Sequence, residues 1–462
     1  MEHKEFREKL KDMDVLVVGM GKSGKAAAEV LSECGARVFV QDAADSEKID
    51  NELKEHLESA GIKSYFGCLP EDMKMFDMLV LSPGVPTELD FIREAADAGA
   101  EIIGELELAY RLTPAHFAAI TGTNGMTTTT TLTGEIFRAS GRKTAVVGNI
   151  GNPVVTEAYG AGSDEWLVTE VSSFQLETTK EFRPVVSAIL NLTPDHLNRH
   201  KTMEAYGNAK ARVAACQSED EYLIINYDDP AAMALASQSK ATIVPFSRKE
   251  SLEMGAYLDG SSIVIRDRAG EVHYICDTGD LKIIGDHNIE NALAAAAISF
   301  FAGIEPAVIG NTIREFPGVE HRIEFCGSGR GVDYYNDSKG TNVDAAVIAI
   351  KALRNNIILI AGGDGKSQDF TDLAKHLNGA VIALVLLGRD AGIIEEAARK
   401  EGFTNIYNCS DMEECVRRST ELARDGDKVL LSPACASWDM YPNYEVRGRH
   451  FKQCVRDILD TL

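Results

Sequence analysis

Two glycine-rich loops, each directly after an apolar run and each opening a helical stretch, constrain this chain more than any other feature. The first is Gly19-Met-Gly21-Lys-Ser23-Gly24, after Asp14–Val18 (DVLVV). The second is Thr121-Gly122-Thr123-Asn124-Gly125-Met126-Thr127-Thr128, after Phe117–Ile120. Strand, tight turn and helix in that order belong to β-α-β units, whose crossover helix returns the chain to a parallel neighbour. Glycines let the backbone approach a phosphate, and the free N–H groups of the helix start receive it. Two such loops so far apart in sequence demand two separate parallel sheets.

The remaining patterns add a third. Arg37–Gln41 and Met78–Leu81 continue the first region, the latter ending at the turn Ser82-Pro-Gly84. Trp166–Thr169 and Val185–Leu190 continue the second, and a period-two pattern with glycine turns between Ala256 and Cys276 reads as a small antiparallel insertion. Ile357–Ile360, Val381–Leu387 and Lys428–Leu431 are buried-strand runs of a third region. At ~150 residues per domain, 462 residues agree with three. The expected fold is α/β, with three domains of mainly parallel sheet and flanking helices: Rossmann-like over 1–104, P-loop ATPase-like over 105–318, and Rossmann-like over 319–462.

Composition excludes several classes. A net charge of −24 leaves no basic surface for nonspecific binding to nucleic acid or to an anionic membrane. No apolar run approaches the ~18 residues of a membrane span, and the charged N-terminus does not read as a signal peptide. Nine cysteines with no C-x-x-C pair fit free thiols in a reducing cytoplasm. A monomer acting on small molecules is expected.

The loops carry specific chemistry. Asp42 lies at the end of the second strand, where a carboxylate suits a ribose hydroxyl or a base. The first loop alone does not distinguish a dinucleotide from a nucleotide-sugar. The second has P-loop form, in which backbone amides cradle phosphates and the Thr at position 127 holds Mg²⁺. Threonine is a poor helix former, so a helix opening with five of them is one whose first turn serves a ligand. One position departs from the pattern. Met126 stands where a P-loop has lysine, with similar length but neither charge nor donor.

The second loop, as Gly122-Thr-Asn-Gly-x-Thr-Thr, resembles the ATP loop of the Mur ligases of peptidoglycan synthesis, a family that includes the folylpolyglutamate synthetases. Gly148-Asn149-Ile-Gly151, Glu170-Val-Ser-Ser-Phe-Gln175, Asn191-Leu-Thr-Pro-Asp195-His196, Lys210, Gly285-Asp-His-Asn288-Ile-Glu-Asn291 and His321-Arg322 extend the resemblance along the chain. Asn336-Asp337-Ser338-Lys339-Gly-Thr341-Asn342, Gly362-Gly-Asp364-Gly-Lys366 and Leu431-Ser-Pro-Ala-Cys-Ala-Ser437 look like the D-glutamate-adding branch. The Asp-Asn-Pro-Arg motif of the diaminopimelate-adding branch is missing.

The resemblance implies ATP-dependent addition of D-glutamate to UDP-N-acetylmuramoyl-L-alanine through an acyl phosphate. It implies two Mg²⁺ ions held by Thr127, Glu170, His196 and Lys210, the last as a carbamate formed from CO₂. From the residues alone Lys210 reads as a surface helix lysine. By resemblance, Gly122–Thr128, Asn288, Asn291, Arg322 and Asp337 bind ATP, and Asn149, His196, Lys210 and Lys339 serve catalysis. Gly19, Gly21, Ser23, Gly24, Asp42, Ser82 and Gly84 hold the UDP end, while Thr341, Lys366, Ser437 and Tyr444 hold D-glutamate. Met126 predicts impaired turnover unless another cation such as Lys339 compensates. A non-catalytic nucleotide-binding relative and another amide ligase of the folylpolyglutamate type stay open as alternatives. A dehydrogenase, suggested by the first loop alone, leaves the second loop and the third region unexplained.

Overall fold

Residues 3–461 are described by a computed structural model. The first sheet is all parallel, with β1 (Asp14–Val18), β2 (Arg37–Asp42), β3 (Lys63–Phe66), β4 (Met78–Leu81) and β5 (Glu101–Gly104) in the order β3-β2-β1-β4-β5. Its central strands are apolar at nearly every position because helices cover both faces, as a parallel sheet requires. The order reverses between β1 and β4. At such a switch point the loops after adjacent strands diverge and leave a crevice; here those loops begin at Gly19 and Ser82.

The second sheet has nine strands: β6 (His116–Thr121), β7 (Lys143–Gly148), β8 (Glu165–Glu170), β9 (Val186–Ile189), β10 (Tyr222–Asn226), β11 (Thr242–Ser247), β12 (Gly255–Asp259), β13 (Ser262–Arg266) and β14 (Val272–Asp277). They run in the order β14-β13-β12-β11-β10-β9-β6-β8-β7. β12 joins parallel to β11, and β13 and β14 follow antiparallel. The expected insertion is therefore an edge extension of the central sheet. Tyr257 and Val264 pack with Leu252 on one face, while Ala256, Ile263 and Ile265 are buried on the other, so these strands are covered on both faces rather than alternating.

The third sheet runs β15-β16-β20-β17-β18-β19, from β15 (Glu324–Gly329), β16 (Val332–Asn336), β17 (Ile357–Gly362), β18 (Val381–Leu387), β19 (Ile406–Asn408) and β20 (Lys428–Leu431). Only the β15–β16 hairpin is antiparallel. Two apolar clusters cover its faces, one around Leu359 and Leu384, the other around Ile360, Val429 and Phe451. The chain divides into two compact units. One runs to Asp280 and includes Glu290–Glu315, so it carries the first two sheets; the other comprises Leu281–Ile289 and Phe316 onward. Among the described residues no helix is long and apolar enough to cross a membrane.

Candidate active site

In the first unit, register aligns the ends of three strands. Ile120 of β6 pairs with Glu170 of β8, and Thr121 with Ile189 of β9, so the loops after all three leave one sheet edge. The second glycine loop turns there into the helix Met126–Ala139. Its N-cap, Gly125, has φ +84° and, as glycine, no side chain with which to cap the helix. A β-carbon on Gly125 would sit 2.3 Å from Asn291 Oδ1, so only glycine allows Asn291 this close to the loop. Asn191 braces the turn by accepting from the Thr123 and Asn124 amides at 3.0 and 2.8 Å. Met126 is half-buried at the first helical position, and Thr127 and Thr128 are buried behind it.

Glu170 is 1% exposed. Its Oε1 accepts from Asn149 Nδ2 at 2.8 Å, and its Oε2 is buried with no hydrogen-bond partner. A buried carboxylate oxygen left bare is costly. At the end of β8, level with the end of the strand that leads into the second glycine loop, it fits a divalent cation, for which carboxylate oxygen is the preferred ligand. His196, with φ +53°, starts the one-turn helix Leu197–His200 beside Asp195.

Lys210 corrects the expectation drawn from its residue pattern. It is 1% exposed, with Nζ donating to the Gly122 carbonyl at 2.5 Å and lying 4.7 Å from the centre of the Tyr206 ring. Burial pulls its pKa down to about 7, against the pull of Asp195 and Glu170 in the other direction. The helix Met203–Ala211 that carries it presents Tyr206, Gly207 and Lys210 inward, a face that the mixed local sequence does not announce.

The first glycine loop is equally tight. Gly19 has φ +86°, and a β-carbon on Gly24 would meet the Gly19 carbonyl at 1.9 Å. Asp42 Oδ2 accepts from the Met20 amide at 2.7 Å, and Ser82 Oγ donates to the Gly19 carbonyl at 2.7 Å. The residues expected at the UDP end are thus bound to one another. Gly84 lies in the turn closed by the Val85 amide on the Ser82 carbonyl at 2.9 Å.

In the second unit, Arg322 is flanked by His321 at φ +66° and Ile323 at φ +44°, non-glycine residues in a costly region held by their surroundings. Asp337 is 1% exposed and accepts from Ser432 Oγ at 2.7 Å. Burial raises its pKa to about 6, although Arg322 pulls it the other way. Asn288 donates to the Ile284 carbonyl in this unit.

Lys366 also has positive φ, +50°, and its ammonium lies 4.8 Å from the centre of the Trp438 ring. The Lys366 loop is clipped to the segment before Ser437 by reciprocal backbone bonds between Asp364 and Ala436 at 3.0 and 2.8 Å. Lys339 lies over the Tyr444 ring at 5.4 Å, which joins a residue expected at the phosphates to one expected at the amino acid. Thr341 follows on the same loop, its amide bonded to the Lys339 carbonyl.

Arg447, absent from the sequence expectations, ties these pieces together. Its buried guanidinium donates to Ser338 Oγ, the Ser338 carbonyl and the Cys435 carbonyl at 3.0, 2.8 and 3.0 Å. It sits inside a polar helix with no local signal of burial. Trp438, 65% exposed next to Ser437, is likewise absent from the sequence expectations, although its place beside Ser437 is a readable signal.

Three family models cover the chain: the MurD-like N-terminal domain of Mur ligases at 13–104, the Mur ligase middle domain at 120–299, and the Mur ligase glutamate ligase domain at 321–435. A UDP-N-acetylmuramoylalanine–D-glutamate ligase of Thermoanaerobacter sp. (strain X514) is 47% identical over 452 residues, 97% of this chain and 99% of its own. One from Clostridioides difficile (strain 630) is 46% identical over 450 residues, with the same coverage of both chains. Among solved structures, the MurC of Thermotoga maritima (TM-score 0.60, 18% identity, 96% of this chain and 99% of that one) shares the fold. So does a pseudomurein peptide ligase type C of Methanothermus fervidus (TM-score 0.59, 20% identity, 97% and 100%). With all three domain models matched in order and relatives this similar over nearly the whole length, the chain belongs to the Mur ligase family.

Proposed function

We propose that the protein joins D-glutamate to UDP-N-acetylmuramoyl-L-alanine at the expense of ATP, a step of peptidoglycan synthesis that serves cell-wall growth, cell shape and division. The geometric observation that carries an ATP- and Mg²⁺-dependent reaction is the bare Glu170 Oε2 at the end of β8, level with the end of the strand that leads into the second glycine loop. The choice of substrates is supported by the full-length relatives that bear this activity in their names.

In this reading the amides of Gly122–Thr128 hold the ATP phosphates, with Asn291 at the loop, and the family resemblance assigns Asn288, Arg322 and Asp337 to ATP binding as well. Thr127, Glu170, His196 and a carbamylated Lys210 would hold two Mg²⁺ ions. When bound, these offset charge on the γ-phosphate and on the attacking carboxylate. The Gly19–Gly24 loop, Asp42, Ser82 and Gly84 grip the UDP end, and Asn149 holds Glu170 in place near the muramoyl end. A carboxylate oxygen of the L-alanine residue displaces ADP from the γ-phosphorus to give the acyl phosphate. The deprotonated amine of D-glutamate then attacks the acyl carbon, phosphate leaves and the amide forms. Lys366, Thr341 and Ser437 supply the cation and hydroxyls that a dianionic amino acid needs, with Tyr444 near Lys339. The protein works as a monomer in the cytoplasm.

Met126 weakens this catalyst. Loss of one preorganised donor to a developing charge costs about 10²–10³ in rate. The test is phosphate release by the native chain and by Met126→Lys, given ATP, Mg²⁺, bicarbonate, UDP-N-acetylmuramoyl-L-alanine and D- or L-glutamate. D-specific turnover that rises with the lysine supports the reading. Equal turnover removes the impairment. Silence in both, with nucleotide still bound, makes the chain a binder without chemistry.

A further inference from the structure

The substrate proposed above is held at two distant ends, and one side chain links the parts that would hold them. Arg199 lies three residues beyond His196 in the one-turn helix Leu197–His200. Its Nη2 donates to the Val85 carbonyl at 3.0 Å and to Glu177 Oε2 at 2.6 Å. Val85 closes the turn that begins at Ser82, and Ser82 in turn is bonded to Gly19. On the other side the guanidinium lies 5.6 Å from the centre of the Phe174 ring, and that ring meets His196 edge-on at 4.9 Å. Glu177 also faces His200 Nδ1 at 3.4 Å, whose Nε2 lies 2.9 Å from Ser173 Oγ.

The run Ser173, His200, Glu177 has the order of a hydrolytic triad, but Ser173 is only 2% exposed, so no substrate carbonyl reaches it. The run is instead a buried brace. It fixes Glu177, and Glu177 fixes Arg199. Arg199 and Glu177 retain 17% and 18% exposure, so solvent screens their pairing only partly.

We propose that Arg199 is a positioning residue for this reaction. It sets the spacing between the loop that takes the UDP end and the His196 end where the carboxylate reacts. The inference rests on the function proposed above. Misplacement of a reacting group by ~1 Å costs about 10²-fold in rate, while UDP alone touches only the first end and would not register the spacing.

The experiment compares the native chain, or its Met126→Lys form if turnover is low, with Arg199→Ala, Arg199→Lys and Glu177→Gln. For each, kcat and KM for UDP-N-acetylmuramoyl-L-alanine, the Kd of UDP and of the full substrate by calorimetry, and Tm are measured. Arg199→Ala is expected to lower kcat/KM about 10- to 100-fold with the UDP Kd within about twofold. Arg199→Lys should recover part of the loss. Adding Glu177→Gln to Arg199→Ala should cost little more, because the two act as one unit. Unchanged kcat/KM overturns the proposal, and so does a UDP affinity that falls by the same factor, which marks a merely structural role. If Arg199→Ala does not fold, Arg199→Lys and Glu177→Gln carry the same comparison. Absence of D-glutamate-dependent turnover in the parent sinks the proposed reaction instead. The affinity gain of the full substrate over UDP, lost or kept in the variants, then still decides the role of Arg199.

Discussion

Lys210 offers the sharpest quantitative test of the proposed chemistry. Only an unprotonated amine adds CO₂. With its pKa held near 7 by burial, about three-quarters of Lys210 is unprotonated at pH 7.5. An ordinary lysine, near 10.4, would be unprotonated to only about 0.1%, so burial raises the reactive fraction several hundredfold. The same shift is a stability statement. The folded state releases this proton near pH 7 while the unfolded chain keeps it to about 10.4. The cost of the buried cation, about 5 kcal/mol, is therefore fully present below pH 7 and relieved as pH rises through that window. Carbamylation removes the cation and supplies a carboxylate beside the Gly122 loop. The assay is ¹³C NMR of the protein in ¹³C-bicarbonate, together with turnover in CO₂-depleted and bicarbonate-restored buffer. A labelled carbonyl that is lost in Lys210→Met, and turnover that returns with bicarbonate, are expected, with half-maximal labelling near pH 7. Labelling with a midpoint near 10, or turnover indifferent to both CO₂ and Lys210→Met, would refute the argument.

Asp337 gives the opposite sign. Its carboxyl, raised to about 6, holds its proton more tightly in the folded state, so stability falls as pH rises from about 4 to 6. Asp337→Asn is expected to exceed the native chain in denaturant stability at pH 8 by up to about 3 kcal/mol, to lose that advantage near pH 4, and to lose turnover throughout. Glu107, fully buried, accepts from Arg111 Nε at 2.8 Å and from the amides of Lys180, Glu181 and Phe182 at 2.8, 2.9 and 3.1 Å. Glu107→Gln turns an amide group toward those donors and should cost about 3–5 kcal/mol in urea unfolding. Of the two tryptophans, Trp166 is 9% exposed and Trp438 65%. Saturating D-glutamate with nucleotide should therefore change the red-shifted part of the emission, and Trp438→Phe should abolish that change.

Much of this architecture was legible because buried parallel strands are short apolar runs bounded by turns. Met78–Leu81, Val381–Leu387 and Lys428–Leu431 form as strands over the expected residues. Some of the strands that pattern reading missed have polar or solvated faces, although β10, which it also missed, is an apolar run buried at four of its five positions. β3 is half to fully exposed and β15 has no buried position, so neither shows an apolar run. The two glycine loops were legible as turns because neither Gly24 nor Gly125 has room for a β-carbon, the first against the Gly19 carbonyl and the second against the Asn291 side chain, a constraint written in one letter. Lys210 and Arg447 were not legible as buried groups. Each is a charged residue whose burial is decided by elements distant in sequence. For Arg447 these are the Ser338 and Cys435 segments, which no local periodicity reports.

That arginine has a further consequence. It is 2% exposed and, among the described residues, forms no ion pair: every oxygen it bonds is neutral. Burial draws its pKa down to about 10, still well above physiological pH, so the cation persists. The unit that carries Thr341, Lys366 and Ser437 therefore keeps a buried positive charge that the nearby carboxylates Asp439 and Asp337 offset only through their fields, neither being bonded to it. With no carboxylate bonded to the guanidinium, a further anion nearby would lower the cost of burying it. A dianionic amino acid arriving nearby would relax that field as well as fill contacts, so ligand binding and the melting of this unit become one linked equilibrium, weakened together by salt.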